Sequence, residues 1–203
     1  MVAFKLLVVH GYRAYRNGGL PILTPQNRAV CAKVATFARR FDYIALLGGW
    51  HDRSLSPSET TAIVMRNELI RGGVPASRII IPQQDPALAF YIPSRETAEE
   101  GKLLALFLSA SRRAQTEYEV TVIAAKEWVP RIKRIYAALC IATVDMISVD
   151  APTPFHFRMI ELGLRAISRI DPLGTGAITG VLQRRIRRSR TLVNNPGWES
   201  LIG

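Results

Sequence analysis

At 203 residues the chain can bury one sizeable core and carry an appendage. Its 48% apolar content is ordinary for a globular protein, and its formal net charge of +11 either favours contact with phosphates or an anionic surface or only aids solubility. Cys31 and Cys140 lie too far apart for a metal or redox motif. Both fall in helical patterns and read as buried free thiols, which suits a reducing, cytoplasmic setting.

The opening stretch, Met1 to Val9, has neither a basic n-region nor a small-residue cleavage site. It is too short to span a bilayer and reads as a first buried strand, Phe4 to Val9. His10-Gly11 ends it, and Tyr12 to Gly19 reads as a long polar-aromatic loop. Thr24 as N-cap and Pro25 at N1 open the first helix. Val30, Cys31, Val34 and Phe37–Ala38 mark its inner face at helical spacing.

The second strand, Tyr43 to Leu47, stops at Gly48-Gly49. A polar loop, Trp50 to Ser54, leads to Ser56-Pro57-Ser58-Glu59, which reads as a capping box with Glu59 at N3. Gly72-Gly73-Val74-Pro75 ends that helix. Arg78 to Ile81 is the third strand, and Ser94-Arg95-Glu96-Thr97 opens a third helix running to about Ser109. A basic, polar hinge from Ser111 to Glu117 follows. Val120 to Ala125 is the fourth strand, and the fourth helix turns Ile132, Ile135, Tyr136 and Leu139 inward. Val144 to Val149 is the fifth strand, followed by a helical stretch from Phe155 to about Ile170.

This alternation predicts an α/β, Rossmann-like three-layer fold: a mainly parallel five-stranded sheet, helices on both faces and C-terminal helices. A three-two-one-four-five strand order puts the switch point between the first and fourth strands. Residues 1–172 form the domain, and residues 173–203 a basic amphipathic extension. In that extension Ile178, Val181, Leu182 and Ile186 share one face, and Arg184, Arg185, Arg187, Arg188 and Arg190 crowd the rest. The extension either docks on the domain, the preferred reading, or meets an anionic membrane or nucleic acid.

Candidate site residues collect after the strands. Gly48 and Gly49 either let a ligand approach the backbone or make a turn at positive φ. His10 and Glu59 are the acid–base candidates. The structural alternatives are a core histidine bonded to backbone and a helix cap. Arg95 and Arg131, in the first turns of helices, suit a phosphate or carboxylate, or else pair at the surface. His51 and Asp52 have no third ligand spaced to join them, so no metal site is expected. No nucleophile–His–acid arrangement, G-x-S-x-G, Walker A or G-x-G-x-x-G motif occurs.

The order of Gly48-Gly49, Ser58-Glu59, Ala62, Met65, Gly72-Gly73-Val74-Pro75, Ser94, Thr97, Glu99 and Arg131 resembles the YdcF-, SanA- and ElyC-like family. The resemblance spans roughly the first three-quarters of the chain. It implies a Rossmann-like fold with a ligand crevice at the strand C-termini, a link to bacterial envelope biogenesis and S-adenosylmethionine as one candidate ligand. The chain departs from the family pattern at three places. Gln83-Gln84-Asp85 stand where members carry Glu, Glu100 where they carry Asn, and Trp128 where they carry His. The expected function is binding of a nucleotide-like, phosphorylated or sugar-linked ligand. Gly11, Gly48, Gly49, His51, Arg95, Thr97, Lys126 and Arg131 are the expected contacts. The alternative is a basic module for nucleic acid or an anionic surface.

Overall fold

A computed structural model describes residues 3–49, 55, 59–84 and 97–176. The core is a parallel five-stranded sheet of β1 (Phe4–His10), β4 (Tyr43–Leu47), β5 (Ile79–Ile80), β6 (Tyr118–Ala125) and β7 (Asp145–Val149), ordered β5-β4-β1-β6-β7. This is the expected three-two-one-four-five order. Central β1 pairs in parallel with β4, from Leu6–Tyr43 to His10–Leu47, and with β6, from Phe4–Tyr118 to Val9–Ile123. Leu6 to Val9 are fully buried because helices cover both faces, which is why this strand reads as an unbroken apolar run.

Helices α1 (Pro25–Phe37) and α2 (Thr61–Arg71) pack together, and α4 (Val129–Ala138) packs against both α3 (Thr97–Arg113) and α5 (Phe155–Ile170). The two groups cover opposite faces, giving a three-layer α/β fold. Gly101 of α3 permits its close approach to α4: a Cβ there would lie 2.8 Å from Ile135 Cγ2 and 3.0 Å from Leu139 Cδ1. No described helix is long and apolar enough to cross a membrane.

The structure corrects several expected details. The segment expected as a loop, Tyr12 to Gly19, enters an antiparallel hairpin of β2 (Ala14–Asn17) and β3 (Leu20–Leu23). Gly18 and Gly19, at φ 54° and 85°, supply the two left-handed residues of its turn. The third sheet strand shrinks to two residues because Pro82 opens a short 3-10 turn. Helix α2 begins at Thr61 with Thr60 as N-cap, so Glu59 is not at N3. Ser56 to Ser58 lie outside the described residues. Helix α3 continues through Ser111–Arg113, which were expected in a hinge, and Gln115 ends that region at φ 60°. Cys31 is buried, but Cys140 is exposed at the left-handed position after α4.

Candidate functional site

Two strand ends flank the switch point, β1 at His10 and β6 at Ala125. The His10 side chain enters the layer formed by α3 and α4. Its Nδ1 is 3.0 Å from Glu100 Oε2, and its Nε2 is 2.8 Å from the Tyr136 hydroxyl. All three residues are buried, at 3%, 2% and 1% exposure. Burial, and then the charge of Glu100, raises the Tyr136 phenol well above its ordinary value, so it stays protonated. The network then closes with Tyr136 donating to Nε2 and Nδ1–H donating to Glu100. This is an acid–histidine–hydroxyl chain that sequence spacing did not reveal, since its members are 90 and 126 residues apart. Both ring nitrogens are engaged, which makes His10 a positioning residue in this state rather than a group facing a ligand.

Beside this chain lies Arg131, in the first turn of α4. Its Nε and Nη2 donate to Glu161 Oε1 and Oε2 of α5 at 2.8 and 3.0 Å. The side chains are 11% and 3% exposed. Burial opposes the guanidinium charge. The charge and hydrogen bonds of Glu161, then Glu100 and Tyr12, outweigh burial and leave its pKa above the ordinary value. The remaining nitrogen, Nη1, has no hydrogen-bond partner among the described residues. Two further links clamp this side: Arg134 Nη1 donates to Ser168 Oγ at 3.2 Å, and Arg165 Nε to the Glu127 carbonyl at 2.9 Å.

Aromatic rings border the same place. Tyr12, just after β1, stacks on Trp128, just before α4, with centroids 4.3 Å apart and planes 14° apart. Phe157 of α5 meets Tyr12 edge-on at 5.4 Å. The first turn of α1 fixes the Tyr12 segment: Asn27 Oδ1 accepts from Tyr12 N at 2.8 Å, and Asn27 Nδ2 donates to Arg13 O at 2.7 Å. Glu100 and Trp128 therefore sit around His10 and Tyr12.

The other side of the crevice, between β1 and β4, is closed by packing. Thr61 N and Ala62 N donate to Gly49 O and Gly48 O, while Ile63 N and Val64 N donate to Thr60 O. These four bonds occupy the amides that a helix N-terminus offers an anion. A Cβ at Gly48 would meet Thr61 Cβ at 3.0 Å, and one at Gly11 would meet Met65 Sδ at 2.5 Å. Gly48 is not at positive φ. Gly48 and Gly11 are small because α2 presses on them, a reason that neither reading of the Gly-Gly pair anticipated.

The remaining candidates are dispersed. Glu59 pairs with Arg16 of the hairpin at 2.5 Å. Thr97 is the half-buried first residue of α3. Lys126 is exposed beside the end of β6 and pairs with Asp150 at 3.2 Å. His51 and Arg95 lie outside the described residues, as do Arg184, Arg185, Arg187, Arg188 and Arg190. Three buried polar atoms at the first turns of α1 and α2 have no hydrogen-bond partner: Gln26 Oε1, Thr60 Oγ1 and Thr61 Oγ1. Comparison with known proteins finds no matching family model, curated protein or solved structure.

Proposed function

We propose that the protein is a YdcF-like small-molecule binder that takes a phosphorylated, nucleotide-like or sugar-linked ligand at the C-terminal ends of β1 and β6. The observation that carries this reading is Arg131. One edge of its guanidinium is fixed by Glu161, and the other is unclaimed beside a topological switch point. A pre-oriented planar donor suits a phosphate or carboxylate better than a mobile lysine would. Tyr12, half-buried and held in place by stacking on buried Trp128, offers aromatic surface for a base or sugar, and exposed Lys126 adds charge at the rim. S-adenosylmethionine, with a carboxylate and an adenine, belongs among the candidate ligands. The order of Gly48-Gly49, the Gly72–Pro75 turn and Arg131 supports the family reading.

The test is a thermal-shift screen with nucleoside phosphates, nucleotide sugars and S-adenosylmethionine, followed by calorimetry of the best hit. Arg131→Lys keeps the charge but loses the fork, and should weaken that hit roughly tenfold. Lys126→Ala should weaken it by a smaller factor. The reading fails if no compound raises Tm, or if both variants bind as the parent does. Tight, steeply salt-dependent binding of generic RNA or DNA would instead support the basic-module alternative.

A further inference from the structure

Helix α5 is built inside out. Its inner face buries Phe157 but also Glu161 and Ser168, the partners of Arg131 and Arg134. Its outer face leaves Phe155 77%, Met159 53%, Leu162 58% and Ile170 85% exposed. At about 100° per residue these four, with exposed Ala166, fall within a stripe about 100° wide that runs the length of the helix. Exposed Arg158 and Arg169 line one edge of that stripe, Arg158 lying 3.9 Å from Glu127 Oε1, while Arg165 is half-buried and turned onto the Glu127 carbonyl. The only acidic residue of α5 is Glu161, which is buried and paired, so the exposed charges that α5 itself carries are those of Arg158 and Arg169.

We infer that this face of α5 seats the protein on an anionic membrane surface. The sign of the charge separates the occupants. A second copy would bring the same arginines to the contact. Residues 177–203 carry five arginines at Arg184, Arg185, Arg187, Arg188 and Arg190 against one acid, Glu199, and so repel the same edge. Anionic headgroups complement it, and the acyl boundary accepts the apolar stripe. Shape points the same way. Side chains more than half exposed stand out from the surface, as a planar interface requires, whereas a docked peptide helix needs a groove. Nucleic acid would use the arginines and leave Phe155, Met159, Leu162 and Ile170 in water.

The test is co-sedimentation of the full chain with phosphatidylcholine vesicles, with and without phosphatidylglycerol, at low and raised salt. Binding should require the anionic lipid and fall with salt. Met159→Glu/Leu162→Glu changes only exposed positions and should preserve the circular dichroism spectrum while weakening partition roughly tenfold or more. Arg158→Gln/Arg169→Gln should weaken it roughly fivefold per arginine. Equal partition of Met159→Glu/Leu162→Glu and the parent chain overturns the inference, because the basic extension then acts alone. A dimer that Leu162→Glu dissolves also overturns it and assigns the face to a second copy. So does binding to RNA or polyglutamate, but not to vesicles, that the double glutamate variant abolishes.

Discussion

Removing Glu161 tests whether Arg131 is a pre-positioned clamp. Glu161→Ala deletes both carboxylate contacts, at 2.8 and 3.0 Å, and leaves a guanidinium whose side chain is only 11% exposed. Breaking a buried pair by taking one partner costs about 3–5 kcal/mol. The lower end applies here because the Arg131 side chain keeps some exposure, so part of the orphaned charge can be hydrated. A loss of about 3 kcal/mol corresponds to roughly 6–12 °C in Tm for a chain of this size. Arg131→Met/Glu161→Leu removes both charges and refills the volume, so it should cost less than about 1.5 kcal/mol. Urea denaturation of the parent, Arg131→Met, Glu161→Leu and the double variant, read at constant m, yields the coupling directly. A loss below about 1 kcal/mol for Glu161→Ala would mean that the pair is solvated. Arg131 would then not be held for a ligand, and the reasoning behind the proposed site would fall with it.

Three further outcomes follow from packing and burial. Gly48→Ala places a Cβ 3.1 Å from Ala62 N, a backbone atom that moves only with α2, and should destabilise by about 1–3 kcal/mol in the same denaturation assay; a neutral effect would show that the β4–α2 junction is not sealed. Exposed Cys140 should react with a thiol reagent in the native protein, and Cys31 only after unfolding. Burial, with a smaller contribution from Glu68, pushes the Cys31 thiol up to about 12 from an ordinary 9.0. Its contribution is therefore intact below pH 9 and is lost as pH rises from 9 towards 12, where the unfolded chain releases the proton first. Cys31→Ala should flatten that alkaline loss; parallel curves for parent and variant between pH 9 and 11 would contradict it.

The strands were legible because both faces of this sheet are covered, so Leu6 to Val9 and Ile44 to Leu47 appear as plain apolar runs. The first helix was legible through Thr24-Pro25, and Thr24 Oγ1 does accept from Asn27 N at 3.5 Å. The start of α2 was misread because Ser56 and Glu59 satisfy the capping-box pattern, while the bonds that set the boundary come from Gly48 and Gly49, a dozen or more residues upstream. The hairpin had a local signal in Asn17-Gly18-Gly19, masked by the aromatic and charged residues before it. The site divides in the same way. Arg131 and His10 were marked by position at strand and helix ends, but their partners Glu100, Tyr136 and Glu161 lie on α3, α4 and α5. Only the packing of those helices brings them together, at Gly101 for α3 and α4. A carboxylate on an otherwise inward-facing helical stripe, as Glu100 and Glu161 are, was the one signal that could have found them.

These partners also say which half of the crevice can hold a ligand. In a fold of this type two helix N-termini compete for the anion, one from each side of β1. The α2 terminus is closed, because the carbonyls of the preceding strand occupy its first two amides and Thr60 occupies the next two. The α4 terminus offers hardly more backbone, because Arg131 N and Ile132 N donate to the Trp128 carbonyl and Pro130 has no N–H, so what that side presents is side chains. Glu161 is buried to fix Arg131, and Glu100 is buried to fix His10, where apolar residues of similar volume would have been no less stable. On the proposed function, burying two carboxylates to orient one arginine and one histidine serves specificity for a ligand rather than stability. That is the physical reason to look for the ligand beside β6 and Trp128, and not beside the glycine pair that dominates the sequence.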